Sequence, residues 1–284
     1  MVFGKNPALF PAFFKALPGA PRCFQKIHTF LSVKRERNML YYYQMKRKGW
    51  TFGMMRKTGF SKVSWLGLLA GLLGYFFNAT MRSGGSAIPL IAFSVLMALV
   101  FWLSAATLEK RARYDEVFHV IRLDFALTAL ACIALGAGCV LGFSDGGILV
   151  QLTCVVGLVG AACDIIAAVF RLKGTAPSAV FYVPAIFFFV LRLFRDFRRW
   201  MQDPAILDYC FCLFALICFM ISTYHAASFS FDHGARRRLC FYSMAGTFFG
   251  LTAMAGQSPA GMLIYGAGAA FCLVYAMQAL GKGK

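Results

Sequence analysis

Long runs of uncharged, apolar residues constrain this chain more than any other feature. Seven intervals between consecutive charged residues contain 18 to 43 uncharged residues each. A helix needs about 20 mostly apolar residues to cross roughly 30 Å of hydrocarbon. The runs are continuous rather than alternating, and lipid forces the backbone to satisfy its hydrogen bonds internally. They therefore predict membrane-spanning helices rather than the strands of a barrel.

The composition excludes a water-soluble globule. The 284 residues are 60% hydrophobic and only 14% charged, whereas soluble proteins carry about 25% charged residues. A soluble domain with this composition would have too few polar side chains to cover its surface. We therefore interpret the chain as an all-α protein, a polytopic membrane helix bundle surrounded by lipid.

The spacing of charges predicts about eight transmembrane helices. The longest uncharged interval, between Arg238 and Lys282, holds two spans that are separated at residues 257–259. A basic, partly amphipathic segment, residues 1–62, precedes a transmembrane domain of residues 63–284. The predicted spans are 63–81, 86–108, 121–143, 147–170, 176–195, 204–229, 238–256 and 259–281.

Charge asymmetry predicts the orientation. Residues 1–63 contain 13 Lys or Arg and a single acid, and such segments stay on the cytoplasmic side. Eight spans return the C-terminus to the same side. Residues 192–203 disagree, because this loop contains four arginines and the count places it outside. Either a span is miscounted or the basic cluster has a reason to be outside.

The N-terminal segment is expected to bind anionic lipid. Its basic clusters at 34–37 and 46–48 alternate with the aromatic residues at 41–43, and basic residues near a membrane surface attract acidic headgroups. Basic and aromatic residues together also bind single-stranded nucleic acid. We do not expect nucleic acid as a partner, because any determinant of orientation would have the same composition.

An arginine face at the end of the fifth span is a candidate anion site. Arg192, Arg195 and Arg199 share one face of a helix, and guanidinium groups bind anions by charge-assisted hydrogen bonds. Asp196 is expected to pair with Arg192, and Asp208 of the next span to reach the same face. Alternatively, these arginines extend toward the headgroups at an interfacial helix end.

Two carboxylates near the inner ends of neighbouring spans are a second candidate site. Asp124 and Asp164 are acids within apolar runs, and ionisable groups at membrane depth are functional candidates by default. Together they are expected to bind a proton or a cation. Alternatively, they pair with Arg122 or Arg171 at the membrane edge.

His225 is the third candidate, since a membrane histidine can ligate haem or transfer protons. No second histidine lies at a similar predicted depth, which favours a structural, hydrogen-bonded role. The ten cysteines lack metal-binding spacing, so we expect no metal, cofactor or disulfide framework. HExxH, Walker A and GxGxxG motifs are missing from the sequence, and no constellation supports an enzyme.

Small residues predict close helix packing at two places. Gly67 and Gly71 are four residues apart, as are Gly246 and Gly250. This spacing places both glycines of a pair on one helix face and permits close approach of backbones.

The stretch 191–200 is Leu-Arg-Leu-Phe-Arg-Asp-Phe-Arg-Arg-Trp, and it is followed by Asp203-Pro204, Asp208-Tyr209, Tyr224-His225 and three arginines at 236–238. This region, residues 191–249, is similar to uncharacterised multi-pass membrane proteins of Gram-positive anaerobic bacteria. The resemblance implies a bacterial plasma membrane. It attaches no activity and no substrate.

Three hypotheses for function follow. The first is a transporter-like or permease-like protein for a small solute, which would be an anion if the arginine face binds it. The second is an accessory protein that binds partners and anionic lipid, and the third is a membrane-embedded enzyme. A polar cavity lined by Asp164 or the arginines favours the first, a solid apolar interior favours the second, and a closed pocket around His225 and Asp208 favours the third.

Overall fold

The computed structural model describes residues 63–143, 147–200, 206–231 and 234–281. The predicted basic segment, residues 1–62, lies outside the described residues, and so does its predicted interaction with anionic lipid.

Within these residues the protein is helical, which confirms the predicted all-α class. Eight helices have 18 residues or more, and the remaining elements are one short helix (α3) and two 3₁₀ turns, Ala179–Tyr182 and Phe229–Phe231. The helices are α1 Ser64–Arg82, α2 Ile88–Ala106, α3 Tyr114–Val117, α4 Arg122–Leu141, α5 Ile148–Leu172, α6 Val183–Trp200, α7 Ile206–Ser228, α8 Arg236–Ala253 and α9 Pro259–Leu280.

Six segments of the described chain are long and apolar enough to cross a membrane, which fits an integral membrane protein. They are α1, α2, α4, α5, Tyr209–Phe231 and α9. The helices α6 and α8 are of similar length but carry more charge, since α6 ends in a basic stretch and α8 begins with three arginines. The predicted total of about eight crossings therefore depends on these two helices.

The pair α8 and α9 forms the centre of the bundle. Helix α8 packs against α1, α7 and α9, while α9 also packs against α4. The α9 span is 72% buried inside the protein, whereas the α2 span is 22% buried. Helix α2 is therefore peripheral, with its apolar side chains available to lipid, and α9 is almost enclosed by protein.

Glycines on α1 allow close contact with α8, as predicted. A Cβ added at Gly71 would lie 2.7 Å from Leu251 Cδ1, and one added at Gly74 would overlap Thr252 Oγ1. One turn later, Asn78 Nδ2 donates a hydrogen bond to Thr252 O at 2.7 Å. Small residues and one interhelical hydrogen bond hold α1 in place, as is common between helices in lipid.

A phenylalanine ring of α7 uses glycines on both central helices. Phe219 is fully buried, and a Cβ added at Gly250 would lie 2.6 Å from its Cζ atom. An added Cβ at Gly268 would overlap the same ring. Of the predicted glycine pair on α8, Gly250 therefore receives an aromatic ring, whereas Gly246 lies against the Cys272 side chain of α9.

Four chain segments meet at one end of the bundle, which we call the loop end. They are residues 107–121, residues 173–182, residues 229–231 with 234–237, and residues 277–281. Ala112 and Gly234 form an isolated β-bridge, and Arg237 Nε donates to Leu108 O. Arg236 donates to Gly281 O at 2.8 Å and also to a carbonyl of the last turn of α9. These contacts fasten the loops to one another and to the C-terminal end of α9.

The fold predicts that Gly74→Ala destabilises the protein by about 1–3 kcal/mol, the usual effect of overpacking a filled interface. The added methyl group would displace the Thr252 side chain, which is itself buried. Thermal unfolding in detergent micelles measures the effect.

The matched control is Gly67→Ala, on the same helix face. There the nearest atom to an added Cβ is Met244 O at 3.5 Å, an ordinary van der Waals contact. Equal unfolding temperatures for the two variants would show that α1 does not pack on α8 in this way.

Candidate functional site

The predicted arginine face of α6 contains an ion triplet. Arg192 Nε donates to Asp196 Oδ2 at 2.8 Å. Arg195 donates to Asp196 Oδ1 through Nε at 2.9 Å and Nη2 at 2.8 Å. The predicted pairing of Asp196 with Arg192 is confirmed, and Arg195 joins it. One carboxylate thus engages two guanidinium groups, which leaves one excess positive charge.

This triplet lies against the central helix α9 rather than in open solvent. Arg192 is 8% exposed and Asp196 6% exposed. The Arg192 guanidinium stacks over the Tyr265 ring, with 5.8 Å between Cζ and the ring centroid. A buried ion pair stabilises a protein only when its charges are well compensated. Asp196 is the counter-charge of both arginines, so the stability of this end of α6 depends on it.

For the other two members of the predicted anion site, the structure describes the helix but not the side chain. Arg199 belongs to α6 and Asp208 to α7, and their side chains lie outside the described residues. Arg198 is exposed and stacks on Phe194 at 5.9 Å from the ring centroid. The anion site at Arg192, Arg195, Arg199 and Asp208 stays a prediction, and Asp196 already occupies the Nε groups of Arg192 and Arg195.

The two predicted carboxylates lie in the halves of α4 and α5 that are nearer the loop end, and both interact with Arg171. Asp124 is in the first turn of α4, Asp164 is in the second half of α5, and Arg171 is in the last turn of α5. Asp164 and Arg171 are seven residues apart, which places them on one helix face about 10 Å apart along the axis. Both acids interact electrostatically with Arg171, so Arg171 is the cation that these acids face. We call these three residues the carboxylate site.

The carboxylate site has polar atoms without partners. Asp124 is 7% exposed and Asp164 3% exposed. Among the described residues, no hydrogen bond reaches either oxygen of Asp124, the Oδ1 of Asp164 or the Nη1 of Arg171. Buried polar groups are normally hydrogen-bonded, and exceptions indicate an unseen ligand, water or functional role. Three carboxylate oxygens and one guanidinium nitrogen without partners therefore make this the strongest candidate for a ligand-binding site.

A small cleft opens beside these atoms. Asp124 and Arg171 line it together with His119, Thr128 and Gln278. Its free space is about that of one water molecule. A water, a proton carried by water or a monatomic ion fits there, whereas an organic solute does not fit in this conformation.

A two-point clamp holds the wall of the cleft. The backbone N–H of His119 donates to Gln278 Oε1 at 2.8 Å, and Gln278 Nε2 donates to His119 O at 3.1 Å. The amide of α9 therefore satisfies both polar backbone groups of one loop residue. This pairing fixes the 107–121 segment over the loop end of α9, beside Asp124.

Tyr114 supports the same segment from the short helix α3. It is buried, and its hydroxyl donates to Thr175 O at 3.5 Å, a long hydrogen bond between two connections. Burial raises the pKa of this phenol above its usual range, so the hydroxyl remains a donor at physiological pH.

His225 lies apart from both charged clusters. Its ring stacks on Tyr242, with centroids 5.9 Å apart and an interplanar angle of 20°. No group of three His, Cys, Asp or Glu side chains in the described part of the chain is arranged to hold a metal ion. The structural role favoured for His225 stays a prediction, as does the alternative of haem ligation or proton transfer.

Sequence reasoning missed the contributions of α9. Gln278 makes the clamp, and the Tyr265 and Tyr275 rings stack on Arg192 and Arg171, respectively. An amide inside a long apolar run was the available signal for Gln278, because such a group needs a partner in a helix bundle. Nothing in the sequence indicated which loop supplies that partner.

The ion triplet predicts that Asp196→Asn is strongly destabilising, by about 3–5 kcal/mol. The amide keeps the shape of the side chain but leaves two guanidinium groups without a counter-charge in a buried position. Unfolding temperature in detergent is the measurement, and Asp115→Asn, at an exposed acid of α3, is the control. If Asp196→Asn were as stable as Asp115→Asn, the triplet would not be closed as described.

Comparison with known proteins assigns no family. No protein-family model matches the sequence, no curated protein matches it, and no solved structure matches the fold. The functional argument therefore depends on the geometry of the two charged clusters.

Proposed function

We propose that the chain crosses the membrane eight times, with the N-terminus and the C-terminus both cytoplasmic. Every second connection between long helices lies at the loop end. The contacts among residues 107–121, 234–237 and 277–281 support this alternation. Basic residues concentrate in these segments, including Lys110, Arg111, Arg236 and Arg237. By the positive-inside rule, the loop end faces the cytoplasm.

Two introduced cysteines test this topology in a background without the ten native cysteines. Arg198→Cys is expected to react with a membrane-impermeant thiol reagent added outside, and Lys173→Cys only after the membrane is opened. Both native side chains are exposed, so the reagent has access in each case. Protection of residue 198 from the outside reagent would mean that α6 and α7 do not both cross.

We further propose that the protein is a transporter-like carrier of a small solute and that the carboxylate site is its binding site. The observation that carries this proposal is the set of buried, unpartnered atoms of Asp124, Asp164 and Arg171 beside a cleft. Charges at membrane depth are costly and usually mark solute or ion pathways. In the ion triplet, by contrast, the Asp196 carboxylate is hydrogen-bonded by two arginines of the protein itself.

The position of the site fits a carrier that is closed toward one side. The cleft lies at the loop end and is bounded by the His119–Gln278 clamp. Toward the opposite end, α9 is enclosed by its neighbours, and residues such as Tyr265 and Phe219 are fully buried. Alternating access requires one such closed side. The ion triplet of α6 lies on this closed side.

The second candidate is a membrane accessory protein that binds partners and anionic lipid. The well-filled interior around α8 and α9 favours it, as does the small size of the cleft. The proposed location is a bacterial plasma membrane in both cases, with the basic N-terminal segment as the lipid-binding part.

A flux assay separates the two candidates. Proteoliposomes are mixed rapidly with iso-osmotic solutions of sodium, potassium, chloride, nitrate, formate or urea, and light scattering follows their swelling. The carrier is expected to admit at least one of these faster than protein-free vesicles, and Asp124→Asn combined with Asp164→Asn is expected to abolish the difference.

Asp115→Asn is the matched control, since it removes an exposed acid from the connection that precedes α4. It is expected to retain the wild-type rate. Equal swelling of wild-type and protein-free vesicles for every solute would reject the carrier and favour the accessory role.

A further inference from the structure

The carboxylate site has more negative than positive charge. Asp124 and Asp164 are two acids, and Arg171 is the one cation with which both interact. The other neighbours carry no permanent charge: Cys132 of α4, Tyr275 and Gln278 of α9, Tyr114 of α3, Tyr182 of the 3₁₀ turn and, at the mouth of the cleft, the titratable His119 imidazole. With both acids ionised, the site has a net charge of −1.

That excess charge has no compensation within the described residues. A buried carboxylate without hydrogen bonds is costly, and it is stabilised by a counter-charge or by taking up a proton. Neither oxygen of Asp124 has a hydrogen-bond partner, although Asp124 lines the cleft. Arg171 can balance one carboxylate, and the second needs a further positive charge.

We propose that the carboxylate site binds one dissociable proton, which enters from the loop end through the cleft and resides on Asp124 or Asp164. This inference deepens the proposed carrier function and rests on it for the use of the proton, although proton binding is measurable without transport. A hydronium ion at the loop end gives its proton to a carboxylate oxygen and leaves as water. An O–H bond forms on the carboxyl group and no electrons are transferred.

A proton suits the site better than other small ligands. A metal cation would face the Arg171 guanidinium and lacks a group of three His, Cys, Asp or Glu ligands among the described residues. An anion would face two carboxylates. The cleft has room for about one water, which is enough to carry a proton to Asp124.

The two acids differ in their access to the cleft, so a proton that enters there meets Asp124 before Asp164. Asp124 lines the cleft, whereas Asp164 lies deeper, about 10 Å further along α5 from Arg171. Asp124 is therefore the acceptor nearer the loop end, and Asp164 is the acceptor nearer the membrane centre.

Infrared difference spectroscopy of the reconstituted full-length protein tests the proposal. The probe is the proton itself, supplied by a pH titration, and the readout is the C=O stretch of a protonated carboxyl group. A band from a buried carboxyl is expected at neutral pH, and it should disappear as the pH is raised. Asp124→Asn and Asp164→Asn, each checked for folding by size-exclusion chromatography, are expected to alter or remove it, while Asp115→Asn retains it.

Arg171 supplies the sharper comparison. In Arg171→Gln the cation that favours the ionised acids is lost, so the band is expected to persist to a proton concentration at least about tenfold lower than in the wild type. Arg171→Lys keeps the charge and is expected to stay near the wild-type titration. If Arg171→Gln fails to fold, the two single Asp→Asn variants decide the question.

Two results would overturn the proton site: a wild-type spectrum without a pH-dependent carboxyl band, or a band that survives in the Asp124→Asn, Asp164→Asn double variant. The infrared titration and the flux assay test the two proposals separately. A titrating band without any solute flux would reject the carrier and keep the proton site, whereas flux without a band would do the reverse.

Discussion

Hydrocarbon offers the polypeptide backbone no hydrogen-bond partner, and the rest of this structure depends on that constraint. Each apolar run must satisfy its own N–H and C=O groups, so it forms a helix from one end to the other. The helices cannot rely on the hydrophobic effect for association in lipid, and they use close packing and polar contacts instead. The glycines of α1 and the Asn78–Thr252 hydrogen bond show both devices at one interface.

The same constraint explains why the polar residues of the central helices matter. Helix α9 is mostly apolar, yet its Gln278 amide pairs with the backbone of His119 and its tyrosine rings lie beneath Arg192 and Arg171. Buried polar groups are normally hydrogen-bonded, and both ends of the Gln278 amide are satisfied by the backbone of one loop residue. One helix therefore contacts both charged clusters and connects the two ends of the bundle.

The two clusters differ in how far their hydrogen bonds are satisfied. In the triplet of α6, Asp196 accepts three hydrogen bonds from two arginines. At the carboxylate site, comparable burial is accompanied by unpartnered oxygens and an open space beside them. This difference is why we assign a structural role to the triplet and propose the carboxylate site as the ligand-binding one.

The sequence by itself determined the helices. Uncharged runs located all eight long ones, and the break between α8 and α9 lies where Ser258 and Pro259 begin a new helix. The predicted fifth span, 176–195, was misplaced: α6 begins at Val183 and continues to Trp200, through the arginines that were expected in a loop. Periodicity also placed Asp196 one turn from Arg192, because contacts within a helix follow from residue spacing. It named Asp124 and Asp164 as acids in apolar surroundings, since charge in an apolar run is visible without a structure.

Only the tertiary structure decided which groups meet across helices. Arg171 rather than Arg122 faces the two acids, Gln278 rather than a nearby residue holds His119, and α9 rather than α2 is enclosed. Hydropathy is alike for a helix that faces lipid and one that faces protein, because lipid tails and apolar side chains are equally apolar. Burial, unpartnered atoms and the cleft therefore appear only once the helices are packed.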